Sequence, residues 1–303
     1  VAISDDTDKN GDNVLQAAQN TLTDVIYANI PNVNFKKIIL DAYQQETSAG
    51  GDRYPKAKEE LNNYFEKGAL VFNFLGHGGE DGLTGERLWD KPDGSNYYNQ
   101  YKYPLFITIT CQFTRFDNPF RPTAGEYTYW NPKGGAISLV STTREISYAF
   151  DFNTSLSSFL YSFGNAPRVS IAEALRLAKS VSNADGSAVR VTSYIGDPAF
   201  MLAIPTPNIV LTKVNDVPIT QPVDDLKALS YVKLTGEVHD ENGILLSNFN
   251  GELSINVFDK NYTQMTLNND GYSPPIALNN LGETIFRGNA SVSNGLFEIG
   301  FVV

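Results

Sequence analysis

One cysteine and two histidines are the residues of this sequence best suited to nucleophilic chemistry. His77 lies in Leu75-Gly76-His77-Gly78-Gly79-Glu80 and Cys111 in Ile109-Thr110-Cys111-Gln112-Phe113, each directly after an apolar run with the pattern of a buried strand. A free thiol with a pKa of about 8.5 is only about 3% thiolate at pH 7, so a neighbouring imidazole that lowers that value would activate it. Acyl transfer also needs donors aimed at the developing oxyanion, each typically worth about 2.7–4 kcal/mol of barrier, and the backbone N–H groups of Gly78 and Cys111 could supply them. The plainer alternative is that Cys111 is a small core residue and His77 caps a glycine-rich turn, because free cysteine is among the most buried residue types. If the two strands are neighbours, both side chains emerge at one sheet edge and the catalytic reading gains weight.

The elements that must position them alternate between strand and helix. A short strand at residues 1–4 precedes a helical pattern over 12–29, with Val14, Leu15, Ala18, Leu22, Val25 and Ile26 at helical spacing. Ile38-Ile39-Leu40 marks a buried strand within 37–42, and the charged helix over 54–67 stops at Gly68. Buried strands follow at 69–75, 104–110 and 135–140, and helices at 151–163 and 170–182. This order predicts an α/β fold with a mainly parallel sheet flanked by helices over 1–204, in which ligands bind beyond the carboxyl ends of the strands. Prolines 205 and 207 mark a boundary. Beyond it, alternating faces in Tyr231–Val238 and Gly251–Phe258 predict a β-sandwich over 205–303, with 268–280 as a loop. The sequence ends inside a strand pattern, so the sandwich is expected to be incomplete and the chain a piece of a longer protein.

Composition narrows the function. With 303 residues, 42% apolar and 19% charged, the chain is long enough for two globular domains. A net charge of −11 offers no basic stripe for a phosphate backbone, which argues against a nucleic-acid partner. No apolar run approaches bilayer length. One cysteine forms no internal disulfide, and one cysteine with two histidines builds no structural zinc site. Gly76-His77-Gly78 begins like a dinucleotide fingerprint, but the third glycine is misplaced. Asp6, Asp8, Asn10 and Asp12 match the first half of a calcium loop, yet Ala17 stands where the loop needs Glu; a solvated turn is the favoured reading, with calcium as a structural ion the weaker one. His239, beside a turn in the β-rich tail, is expected at the surface.

A strand ending in Gly-His-Gly, a second strand ending in Cys, then Ser141-Thr142-Thr143 and finally Gly196-Asp197-Pro198 together resemble the gingipain family of caspase-like cysteine peptidases. The resemblance implies a catalytic dyad of His77 and Cys111, Phe116 matching a family phenylalanine, a caspase-like fold and an immunoglobulin-like module behind it. It also implies a smaller catalytic half and a large N-terminal region preceding the residues seen here. Within the family the chain looks most like the sortases of the type IX secretion system, through Phe74-Leu75-Gly76-His77-Gly78-Gly79, Thr110-Cys111-Gln112 and the tail from Gly251 to Lys260 and Phe286 to Val292. Those are cell-surface, outer membrane-associated enzymes of Bacteroidetes. They remove the C-terminal signal domain of exported proteins and pass the product to a lipopolysaccharide, acting with other secretion components. Asp5, Asp6 and Glu80 are the candidates for an acid that orients His77. Residues 141–150 are the expected specificity wall, with Arg144 and Tyr148 lining a pocket. Gln112-Phe113-Thr114-Arg115 differs from the gingipains' own residues, so their basic preference does not carry over. No cofactor is required by this chemistry. The rival reading is an inactive cell-surface binding protein on a caspase-like scaffold.

Overall fold

The computed structural model describes residues 1–182, 186–204, 208–240 and 242–303. It divides the chain into two compact units, Val1–Ala203 with Thr263–Asn280 and Ile204–Tyr262 with Leu281–Val303. Pro205 and Pro207, the expected boundary marks, lie outside the described residues.

The first unit runs β1 (Ala2–Ser4), α1 (Asn13–Asn29), β2 (Lys37–Ile39), α2 (Pro55–Lys67), β3 (Val71–Leu75), α3 (Lys91–Asn96) and β4 (Leu105–Ile109). It continues through α4 (Ala124–Trp130), β5 (Ser138–Thr142), α5 (Phe150–Leu160), α6 (Ile171–Val181), α7 (Gly186–Val191) and β6 (Thr192–Ile195). The six strands form one sheet in the order β6-β5-β4-β3-β1-β2, parallel except for the antiparallel edge strand β6. Every residue of β3, β4 and β5 is buried. That is the requirement of a parallel sheet with both faces covered, and it explains why these runs are apolar throughout rather than alternating.

On one face, Phe72 and Phe106 pack against Phe65 of α2, and Phe106 also against Trp89, which stacks on Tyr97 at 4.7 Å. On the other, Gln19 of α1 and Asn153 of α5 bond the buried Asn73 of β3, so polar residues in the interior satisfy one another. Strand order and register place three C-terminal strand ends in a row: Ser4 is level with Leu75, and Leu75 with Ile109.

The strand expected over 37–42 ends at Ile39, and Leu40–Ala42 turns as a single 3-10 helix. The short helices α3, α4 and α7 escape periodicity because six or seven residues hold barely two turns. The first two begin with capping boxes at Asp90 and Thr123, the local signal that does mark α3 and α4. Of the stretch expected as a loop of the β-rich tail, residues 268–276 are a loop and Ala277–Asn280 is a strand paired with Tyr262–Met265; Thr263–Asn280 belongs to the first unit rather than to the β-rich one. There the Leu267 amide donates to the Asp41 carbonyl, and Asn269 donates to the Tyr43 carbonyl.

The second unit is an antiparallel β-sandwich. Its strands run in the order Val217–Pro218, Ile209–Val214, Tyr231–Val238, Leu296–Val302, Thr284–Ser293 and Gly251–Phe258. Val238, Ala290, Val292 and Phe297 form its core, and Phe286 stacks on Phe301 at 4.1 Å. Among the described residues no helix is long and apolar enough to cross a membrane.

Candidate active site

Three adjacent strands deliver the reactive side chains. Asp5 follows β1, Gly76 and His77 follow β3, and Thr110 and Cys111 follow β4. Gly76 is required by close approach: a Cβ there would stand 2.7 Å from the Asp5 Cβ and 2.7 Å from the Phe74 ring. Gly78 sits equally tight, since its Cβ would meet the Thr110 hydroxyl at 2.7 Å, one residue before the thiol. Gln112, just after Cys111, has φ +53°, a conformation uncommon for a side-chain-bearing residue and typical of sharply turned functional loops. Its amide donates to the Arg144 carbonyl, and the Thr114 amide donates to the Thr142 carbonyl, which pins the turn to the end of β5.

Asp5, fully buried, holds His77 through one oxygen: Oδ2 accepts from the His77 amide at 2.8 Å and lies 3.0 Å from the ring Nδ1. With Nδ1–H donating to Asp5, Nε2 is the nitrogen left to exchange protons. The hydrogen bond to Asp5 is the largest of several influences and raises the His77 pKa above its usual value; partial burial opposes it, and the charges of Asp5 and Asp12 add to it. Asp12 Oδ1 stands 3.9 Å from Nε2 and accepts a hydrogen bond from the Tyr148 hydroxyl at 3.0 Å.

Cys111 is half-buried, with Sγ 3.8 Å from the Ile146 carbonyl. It shares with His77 a cleft of about 410 Å³ whose walls include Leu15, Ile109, Ile146, Tyr148 and Ala149. His77 also borders a second cleft, of about 720 Å³, formed by the Gly78–Gly82 turn, Thr84, Trp89 and Lys91. The imidazole thus stands on the wall of both, and the thiol opens into the first.

The family model of peptidase family C25 matches residues 1–203. The chain belongs to this family, that of the gingipains. Two solved structures share its fold. That of the Arg-specific cysteine proteinase gingipain R (RgpB) has 14% identity and a TM-score of 0.52 over 98% of this chain and 59% of that one. The complex of Porphyromonas gingivalis RgpB pro- and mature domains has 15% identity and a TM-score of 0.51 over 98% and 60%. The chain therefore spans about three-fifths of the length of these proteins. Dimeric latent PorU from P. gingivalis matches at 25% identity over 48% of this chain and 14% of its own, with a TM-score of 0.29, at which the superposition says nothing about fold. No curated protein matches the sequence.

Within this C25 unit the remaining candidates separate. Of the three acids considered for His77, Asp5 is the one that touches it. Glu80 instead pairs with Arg115 at 3.0 Å and Arg121 at 3.6 Å, and Asp6 accepts from the Tyr54 hydroxyl at 2.7 Å. Arg144, expected in the pocket wall, is absent from the lining of the Cys111 cleft and turns to a bidentate pair with Asp117 at 2.9 and 2.5 Å. Tyr148 does line the cleft, stacked on Phe150 at 5.6 Å. Phe116 is exposed. His239, in the second unit, is less exposed than expected and pairs with Glu237 at 2.8 Å.

The calcium-loop pattern does not close on one point. Asp12 goes to Tyr148 and Asn10 is exposed, whereas Asp6 and Asp8 gather with Asp270. The solvated turn is present over residues 8–11, which are exposed, but Asp6 and Asp12 at its ends are buried. Burial and the charges of Asp5 and Glu86 push the Asp6 carboxyl up to about 9. Burial and Asp5 likewise push Glu86 up to about 7. Glu86 carries no sequence signal of its own; only the fold brings it to Asp5 and Asp6.

Proposed function

We propose that the chain is a cysteine endopeptidase working as a sortase of the type IX secretion system. It removes the C-terminal signal domain from exported proteins at the outer face of the outer membrane, among other secretion components, and passes the product to an amine of a lipopolysaccharide. The observation that carries the peptidase chemistry is the row of three strand ends that sets Asp5 against His77 and opens Cys111 into the same cleft. The sorting role draws its support from the sequence likeness around His77, around Cys111 and in the tail.

On this reading the chemistry uses these three residues and two backbone amides. Sγ of Cys111 attacks the scissile carbonyl and its proton passes to Nε2 of His77, while the amides of Gly78 and Cys111 receive the oxyanion. The C–N bond then breaks, the leaving amine takes the proton from His77, and a thioester remains. An incoming amine gives its proton to Nε2, attacks the thioester and releases the thiolate; water in the same place gives hydrolysis. Asp5 keeps Nδ1 protonated and the ring aligned throughout.

Alkylation tests the dyad. Cys111 is expected to react with iodoacetamide at pH 7 at least about tenfold faster than a model thiol, and His77→Ala to remove the excess. Equal rates for the protein, the variant and the model thiol would favour the inactive binding protein. Incubating a peptide that spans a signal-domain junction with an amine acceptor then separates the outcomes by mass: an amine adduct supports sorting, and hydrolysis alone reduces the assignment to a plain peptidase.

A further inference from the structure

We propose that Asp5, Asp6 and Glu86 form a binding site for one hard divalent cation of the calcium class, directly behind the carboxylate that holds His77. One oxygen from each of these side chains lies within 4.8 Å of the other two. Opposite ligands of an ion coordinated at about 2.4 Å stand about 4.8 Å apart, so the spacing is that of a single coordination shell. The residues are only 0%, 1% and 8% exposed. Each also has an oxygen without a hydrogen-bond partner: Asp5 Oδ1, Asp6 Oδ1 and Glu86 Oε2.

The hydrogen bonds in the structure account for the other oxygen of two of these groups and for none of the orphaned oxygens. Both bonds from His77 go to Oδ2 of Asp5, and the Tyr54 hydroxyl goes to Oδ2 of Asp6. Among the described residues neither Asp6 nor Glu86 forms an ion pair with Lys or Arg. Three buried carboxylates this close repel one another and have lost their water, a cost that a bound cation removes and that hydrogen bonding here does not. All candidate donors are oxygens. The protein's one thiol is Cys111, and the His77 Nδ1 is already engaged, so a soft or nitrogen-seeking metal finds no ligand.

A route from solvent is also present. Asp6 forms a second group with Asp8, which is exposed, and Asp270, which is half-buried, with one oxygen of each within 4.8 Å of the others. These outer carboxylates draw a cation towards Asp6, and the inner three hold it. The ion then grips Asp5 from the side opposite His77, tying the orientation of the imidazole to occupancy of the site.

Terbium luminescence on the whole chain tests the assignment, with Tyr54 beside Asp6 as the sensitiser, together with thermal melting in calcium or in chelator. The expected result is saturable binding of one Tb³⁺ per chain, displaced by Ca²⁺, and a Tm higher by about 5 °C or more in calcium than in chelator. Glu86→Gln should weaken binding at least about tenfold and remove the calcium-dependent rise in Tm, while its Tm in chelator equals or exceeds that of the parent, because one repulsion is gone. Should that variant fail to fold, Asp6→Asn provides the same comparison. Three results would overturn the proposal: no saturable binding at millimolar metal, binding by Glu86→Gln equal to that of the parent, or loss of binding in Asp8→Asn with Glu86→Gln intact, which places the ion at the outer group. Terbium binding needs no peptidase activity, so the outcome is independent of the function proposed above.

Discussion

Asp5 and Asp6 are neighbours in sequence and opposites in surroundings. Asp5, at the rim of the sheet, receives two donors from His77 on one oxygen; Asp6, with an oxygen within 4.8 Å of one of Asp5's, has the Tyr54 hydroxyl and the negative charges of Asp5, Glu86 and Asp8. Both carboxylates lie beyond the end of β1 and come within 4.8 Å of each other, yet only Asp5 reaches His77, so a single step along the chain separates a carboxylate that organises a base from one held among other acids. A buried acid is useful where a donor meets it and a liability where none does, and which applies is decided by the partners within reach rather than by residue type.

The difference can be broken from the Asp5 side first, with the largest effect. Asp5→Asn presents an amide where Nδ1 requires an acceptor, so kcat for peptide cleavage should fall by about 10²–10⁴ while alkylation at Cys111 also slows. The same variant sharpens the electrostatic claim. Because the folded-state pKa of His77 is raised, its interaction with Asp5 contributes stability that is fully present below about pH 6.5 and is lost as pH rises through the raised value. The gap in Tm between parent and Asp5→Asn should therefore be wider at pH 5 than at pH 9, and a gap independent of pH would contradict the pairing.

Next in size is Gly78→Ala, whose new methyl must displace the Thr110 hydroxyl and with it the turn that carries Cys111. A loss of about 10–100-fold in kcat/KM is expected with the fold retained by circular dichroism. On the Asp6 side, Tyr54→Phe removes that acid's donor and should lower stability by about 1–3 kcal/mol in chemical denaturation without altering the alkylation rate. The smallest effect belongs to Arg144→Ala. Its pair with Asp117 is exposed and outside the Cys111 cleft, so neither Tm nor substrate preference should change measurably.

The sequence makes the sheet legible because a strand buried on both faces must be apolar at every position, and β3 and β4 meet that demand while running straight into His77 and Cys111. Asp5 is legible by the same rule, being the first acid beyond β1, but choosing it over Asp6 and Glu80 needs the side-chain directions that register and close packing at Gly76 impose. Arg144 illustrates the opposite case. Its place in the chain after β5 is right for a pocket wall, yet Asp117, across the turn that follows Cys111, captures the guanidinium in a bidentate pair that sequence distance hides. Glu86 and Asp270 were beyond reach altogether, since only three-dimensional closure brings them to Asp6.

The ribbon of Thr263–Asn280 imposes an order of events during biosynthesis. Carbonyls of Asp41, Ala42 and Tyr43, laid down early, accept hydrogen bonds from Leu267, Gln264 and Asn269, more than two hundred residues later. A nascent chain that has emerged only as far as the end of the family match at residue 203 still lacks these donors. The unit that carries His77 and Cys111 thus reaches its final form after nearly all of the second unit's first strands have been made, and maturation of the reactive rim is timed by chain growth well beyond it.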